Sequence, residues 1–364
     1  MDFAFSDEQQ MLRESALSIL ASKCTPERVS ELAESQEGWD RESWREIAQL
    51  GWICLSEPED EGGAGFGFIE EAVLFEELGR SLYPGPYLAT VGLALPALIG
   101  SEALEAVVSG EKTATMAWCE PGGPSRLDEL TDLSTKAAAA NGAWTLSGEK
   151  VFVIDGAAVD VAAVAAATPE GTALFLIDVQ AAEVRSSSTM DSTRRLASIV
   201  LNETPATLLV DPAGTKSLLE LIRLRSLAAL SLEAVGVAQA ALDLAMAYVQ
   251  ERKQFDKPIG AYQAVSHQVA DTYMETELAR SLAYWAAWCV ASSDDRAPVA
   301  VAAAKSAASE AAVAACERSI QVHGGIGFTW EHVLHRYYKR AQWIDAFEGF
   351  GSDHRKTIAA SILD

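Results

Sequence analysis

Three stretches of this chain combine residue types that do chemistry. The first is a long apolar run, predicted as one helix from about Lys216 to Phe255 after a Pro/Gly break at Asp211-Pro212-Ala213-Gly214. It carries a lone acid, Glu233, and ends in Glu251-Arg252-Lys253-Gln254-Phe255. At ~1.5 Å rise per residue, Glu233 and Arg252 lie roughly 28 Å apart, about the reach of an extended dinucleotide. An acid on apolar helix surface is costly to bury unpaired. Glu233 is therefore either a group held for proton transfer or the partner of an arginine such as Arg223 or Arg225. The second stretch is Gln321-Val322-His323-Gly324-Gly325-Ile326-Gly327-Phe328. Consecutive glycines let backbone N–H groups approach an anion closely, as pyrophosphate binding requires. A plain helix C-cap at Gly324 is the competing reading. The third is an acid near the C-terminus, Glu348 in Phe347-Glu348-Gly349-Phe350, which on its own could be an exposed loop carboxylate.

Bulk properties exclude several classes. A chain of 364 residues with 49% hydrophobic and 22% charged residues builds a sizeable core. A formal charge of −24 argues against nucleic acid or an anionic membrane as partner. The five cysteines show no CxxC or metal-ligand spacing and the five histidines no HExxH, so no metal site is expected. Reduced thiols, and an N-terminus Met1–Phe5 without a charged or continuous apolar leader, predict a cytoplasmic protein. The apolar stretches around Ala287–Val290 and Val299–Ala304 are cut by Ser292–Arg296 and Pro298, so no membrane span is expected.

The elements that must position these groups fall in the order α, β, α. Ser6-Asp7-Glu8-Gln9 reads as a helix cap, with Met11, Leu12, Ala16, Leu17, Ile19 and Leu20 following at helical period. Helices are also predicted over Trp39–Leu50, Ile69–Leu82 and Leu88–Ile99. The Gly-rich Glu57–Gly67 reads as a connection rather than a phosphate loop, because no strand precedes it. Short β-prone runs follow: Ala114–Trp118, Trp144–Ser147, Val151–Ile154, Val161–Ala165, Ala173–Ile177 and Ser198–Leu201, with turn clusters such as Glu120–Pro124 and Asn141-Gly142 between them. Their spacing predicts a small barrel or sandwich. After the long helix, Ala261–Ala291, Pro298–Val322 and Glu331–Ala346 read as helices of a bundle. The fold class is α+β: a helical domain 1–112, a β-domain 113–212 and a helical bundle 213–364.

Taken together, that order, Glu251–Phe255, Pro258-Ile259-Gly260, Gln263-Ala264-Val265, Ala270-Asp271 and Gln321–Gly325 resemble the acyl-CoA dehydrogenases. The resemblance spans nearly the whole chain and is strongest from Arg225 to His335. It implies a four-helix bundle at the C-terminus and FAD held between subunits. It gives Arg252, Phe255, Gln321, Gly324 and Gly325 the ADP half of a neighbour's flavin. An arginine fork suits pyrophosphate and a phenylalanine face suits adenine. The implied reaction removes the α-proton of an acyl-CoA thioester while the β-hydride passes to flavin. In the family's commonest branch the base is a Glu followed by Gly, and the ungapped register from Gln321 reaches Glu348, with Phe350 in place of the usual small hydroxyl residue. Other branches draw the base from the long helix. Their position falls near Ser226 here, which leaves Glu233, about two turns on, as the second candidate base.

The β-domain departs from the family pattern. Cys119–Arg126 resembles the loop that places Ser125 near the thioester or phosphate side. Lys150–Gly156 resembles the strand whose aromatic residue and Thr touch the isoalloxazine; Phe152 keeps the aromatic, but Ile154 replaces the Thr. One explanation is a divergent branch in which backbone N–H groups replace the hydroxyl. The other is a mixed assembly in which a partner chain completes the site, as in the family's steroid-side-chain branch, which Cys24–Glu27 and Trp39–Arg41 also resemble. The resemblance implies an acyl-CoA with a bulky, medium-length or steroid side chain as substrate, an electron-transfer flavoprotein as acceptor, and a homo-oligomer or a heterotetramer with a related chain. A non-catalytic partner subunit and an acyl-CoA oxidase are the rival readings; oxidases of this kind usually carry an additional helical region.

Overall fold

The computed structural model describes residues 5–57, 63–140 and 142–363. Met1–Ala4, residues 58–62 of the Gly-rich connection and Asn141 of the Asn-Gly turn lie outside the described residues. Contacts group the chain into two compact units. One contains Met1–Ser30, Phe68–Tyr83 and Leu227–Asp364, the other Glu31–Gly67 and Pro84–Ser226.

The first helices form where their caps dictate. The Gln9 backbone N–H donates to Ser6 Oγ at 3.2 Å and the Ser6 N–H donates to Gln9 Oε1 at 3.0 Å, and α1 follows over Asp7–Lys23. A second helix, α2 (Pro26–Glu34), was not expected. Its signals are the Thr25 hydroxyl, which accepts the Arg28 N–H, and Pro26 at the first helical position. Asp40 caps α3 (Arg41–Gln49), and α4 spans Phe68–Arg80. The helix expected over Leu88–Ile99 is a wider π-helical stretch, Leu88–Ala94, running into α5 (Leu95–Leu98); a short α6 (Leu104–Val108) follows.

The strands are β1 (Ala114–Ala117), β2 (Lys136–Ala140), β3 (Ala143–Ile154), β4 (Val161–Thr168), β5 (Gly171–Asp178), β6 (Glu183–Ser187) and β7 (Leu196–Val210). The two runs at 144–147 and 151–154 are thus one strand, bulged between Lys150 and Val153. Pairings run β2–β3, β3–β7, β7–β5, β5–β4 and β4–β2, so the sheet closes on itself as a barrel, with β1 on β4 and β6 on β7. Leu146, Val153, Val164, Phe175, Ile177 and Ile199 fill its core. The alanine-rich β2 and the polar β6 carry little strand propensity, which hid them in the sequence.

The long helix α7 spans Pro212–Glu251 rather than Lys216–Phe255. The break read at Asp211–Gly214 is its start: Asp211 Oδ1 accepts the Gly214 N–H and Pro212 opens the helix. A two-stranded hairpin, β8 (Lys253–Gln254) and β9 (Lys257–Pro258), follows it, then α8 (Gln263–Ala291), α9 (Ala297–His323), α10 (Leu334–Ala346) and an unexpected α11 (Gly351–Leu363). By length and composition Pro212–Glu251 and Ala297–Phe328 could cross a bilayer, but 83% and 67% of their most apolar windows are buried inside the protein.

Gly236, the glycine inside α7, has a packing cause. A Cβ there would lie 2.0 Å from the Glu76 carbonyl oxygen of α4, and a Cβ on Gly79 would lie 2.2 Å from the Glu233 carbonyl oxygen. Gly236→Ala is expected to cost about 1–3 kcal/mol of stability through overpacking. Chemical denaturation measures it; an unchanged midpoint would show that the helices separate freely.

Candidate functional site

Glu348 sits in the short link between the end of α10 at Ala346 and the start of α11 at Gly351. The Phe347 N–H closes α10 onto the Trp343 and Ile344 carbonyls at 3.2 and 3.3 Å. Glu348 then takes a left-handed φ of 57° and Gly349 a φ of 104°. With 4% of its surface exposed, Glu348 is not the exposed loop acid of the competing reading. A non-glycine held at such a φ persists only where its surroundings over-determine it, and such residues cluster at functional sites.

Glu233 is also buried, and Arg340 Nη1, from α10, donates to its Oε1 at 2.5 Å. The expected partners are corrected. Arg223 pairs with Asp128 at 3.4 Å, while Arg225 meets Glu57 at 3.3 Å and Ser56 Oγ at 2.6 Å. Nothing in local spacing connects Glu233 with Arg340, which is why the pair was missed.

The helix-cap reading of the Gly-Gly turn holds. Gly324, at φ 65°, caps α9 by donating to the Gln321 and Ile320 carbonyls. The same turn lines a cleft of about 700 Å³ with Gln321, Gly325, Phe328, Trp330 and Lys339. A Cβ on Gly324 or Gly325 would meet nothing within 4 Å, so a ligand can come up to this backbone. His323, which sequence reasoning did not single out, is buried behind the turn. It stacks on Tyr248 at 4.3 Å with Nδ1 2.7 Å from the Ser319 carbonyl, and burial pushes its pKa down.

Arg252 and Phe255 are not on α7 as expected. The Arg252 N–H still bonds the Tyr248 carbonyl at 2.9 Å, but Phe255 and Asp256, at φ 50° and 64°, form the two-residue turn joining β8 to β9. Phe255 stands at its tip, 88% exposed.

In the other unit, the loop 119–126 and strand β3 are tied by a buried pair that no local spacing announces. Lys150 Nζ donates to Glu120 Oε1 at 2.7 Å and to the Trp118 carbonyl at 3.2 Å. Glu120 also accepts from the Ser134 N–H and hydroxyl and from the Thr135 N–H. Burial opposes the Glu120 charge, but these donors outweigh it and hold the carboxyl at about 2. Burial pushes the Lys150 ammonium down to about 8, with Glu120 acting against the fall. Ser125 is exposed, and its carbonyl accepts from Trp118 Nε1 at 2.8 Å. Phe152 is 63% exposed at φ 56°, whereas Ile154 is buried, its carbonyl accepting the Thr115 hydroxyl at 2.6 Å.

Comparison with known proteins identifies the family. Residues 225–363 match the acyl-CoA dehydrogenase C-terminal domain and residues 6–107 the N-terminal domain. The acyl-CoA dehydrogenase IpdE2 of Mycolicibacterium smegmatis is 32% identical over 361 residues, covering 98% of this chain and all of that one. Among solved structures, the ChsE4–ChsE5 complex of Mycobacterium tuberculosis superposes with a TM-score of 0.88 at 27% identity, covering 100% and 99% of the two chains. A variant of the Tcur3481–Tcur3483 steroid ACAD gives 0.84 at 30% identity, covering 98% of each. The class is thereby set as a flavin-dependent oxidoreductase of CoA thioesters. The chain belongs to the acyl-CoA dehydrogenase family; its cofactor is FAD and its reaction the α,β-dehydrogenation of an acyl-CoA.

The stability contributed by Glu120 is present in full above its unfolded value of 4.5 and is lost as pH falls toward about 2. Urea denaturation across that window is expected to show a shallower acid limb in Glu120→Gln. An equally steep limb would remove this carboxylate from the acid response.

Proposed function

We propose that Glu348 is the base of this dehydrogenation, and that the chain acts on a bulky, steroid-type acyl-CoA as one chain of a mixed assembly. The observation that carries the base assignment is the burial of Glu348 on a left-handed loop. Glu233 is buried as well, and its ion pair with Arg340 suits it to the role of a counter-ion. A carboxylate kept from water takes the α-proton without competition from solvent, and hydrogen bonds to the thioester oxygen favour that loss. FAD, when bound, accepts the β-hydride.

The residues present fit the ADP half of that cofactor. Gln321 and the open backbone of Gly324 and Gly325 would meet its polar part in the cleft, Arg252 would supply a guanidinium to pyrophosphate, and Phe255 would supply a face to adenine. On the ring side, Phe152 is available as an aromatic wall and Ser125 stands exposed on its loop. Ile154 offers neither a hydroxyl nor accessible surface. That asymmetry, and two structural neighbours described as pairs of chains, support a related chain as partner and a steroid-type substrate. Electrons would pass on to an electron-transfer flavoprotein.

Glu348→Gln is expected to retain FAD while substrate no longer bleaches the flavin, a loss of at least about 10²-fold in rate. Normal bleaching would move the base elsewhere. Arg252→Ala is expected to lower flavin content after gel filtration; full retention would remove that contact. The absorbance spectrum and mass of the chain expressed alone, and then with a related chain, test the assembly. One flavin per chain in a homo-oligomer would overturn the mixed reading.

A further inference from the structure

Two consecutive residues of α9 grip the Glu348 loop on both flanks. Lys305 is fully buried, and its Nζ donates to the Asp345 carbonyl and to Ser309 Oγ, each at 3.3 Å. Asp345 belongs to the last turn of α10, just before Glu348. The neighbouring Ser306 places its hydroxyl 3.4 Å from the Gly351 carbonyl, just after Glu348, and accepts from Arg355 of α11 at 3.1 Å. Gly351 suits this grip because a Cβ there would lie 2.8 Å from Glu310 Oε1 and 3.2 Å from Ser306 Oγ.

Two carboxylates act on Lys305. Burial pushes its ammonium down to about 8, while the carboxylates of Asp345 and Glu348 act in the other direction. Asp345 is faced in turn by Glu310 from α9 and Arg355 from α11, and the buried His354 lies beside Gly349. A buried ammonium is costly unless carboxylates balance it, and one of the two that act on it is the candidate base.

We propose that Lys305 is a positioning residue for Glu348: its ammonium keeps that carboxylate ionised and, with Ser306, holds the left-handed loop that aims it. The inference rests on Glu348 being the base. It assigns a task to a buried lysine that touches neither cofactor nor substrate in the proposed reaction.

The test is an infrared titration of the flavin-loaded protein, following the protonated-carboxyl stretch that Glu348→Gln removes. In Lys305→Gln, which keeps a donor for the Asp345 carbonyl without the charge, the protonation midpoint is expected to rise by about one pH unit or more. Lys305→Met should raise it similarly, and Lys305→Arg should return it toward the wild-type value. Ser306→Ala should slow flavin bleaching while leaving the midpoint in place. An unmoved midpoint in folded, flavin-loaded Lys305→Gln overturns the proposal. Should both neutral variants fail to fold, Lys305→Arg with a wild-type midpoint supports a charge role, and a raised one overturns it. Normal bleaching in Glu348→Gln would instead overturn the base assignment, so the two failures are distinguishable.

Discussion

Two helix backbones touch where α4 crosses α7, and the helical unit is placed from that contact. Gly79 lies against the Glu233 carbonyl and Gly236 against the Glu76 carbonyl, with no side chain between them. The acids beside these glycines then reach outward. Glu76 accepts from Arg280 Nε at 2.9 Å and from the Tyr284 hydroxyl at 2.8 Å, while Arg13 Nε of α1 donates to Glu77 at 2.7 Å. Glu233 engages Arg340 of α10. Relative to apolar packing, buried ion pairs add little net stability. Here each joins a different helix to the same crossing, so α1, α8 and α10 take their positions from one point. The loop bearing Glu348 hangs from the end of α10 and inherits that position.

Much of this was legible in the sequence wherever the signal is local. The reciprocal cap at Ser6 and Gln9 needs only four neighbouring residues, and the apolar period of α7 needs only its own length. The glycine pair at 324 and 325 announced both a helix end and an approachable backbone, and it supplies both. What escaped reading depends on partners far apart in the chain. Glu233 finds Arg340, Glu120 finds Lys150 and Lys305 finds the Glu348 loop, and no spacing rule connects them. Turn chemistry misled in a smaller way: Asp211-Pro212 looked like a break and is a helix start, while Phe255 looked like helix and lies on a hairpin. Both errors shift an element by about one turn, the usual uncertainty of helix ends read from sequence.

The barrel unit shows how a family pattern can be kept and altered together. The Glu120–Lys150 pair fastens the loop 119–126 to β3, the two segments that the proposed ring-side site would use. Ile154, which stands where the resemblance expects a Thr, is buried in the protein. Apolar burial of that residue stabilises the barrel while removing a donor from its surface. A site can therefore keep its architecture and lose part of its hydrogen-bonding capacity through one substitution.

The hairpin after α7 carries a consequence of its own. Its tip is a two-residue turn with both residues left-handed, a geometry whose twist matches the strands it joins. Tyr262 donates its hydroxyl to the Gln254 carbonyl at 3.1 Å and braces the turn from below. An aromatic ring on such a short, braced arm loses little freedom when something covers it. Preorganisation of this kind raises affinity without adding contacts. In the proposed assembly the exposed Phe255 would offer such a ring to whatever surface covers the hairpin.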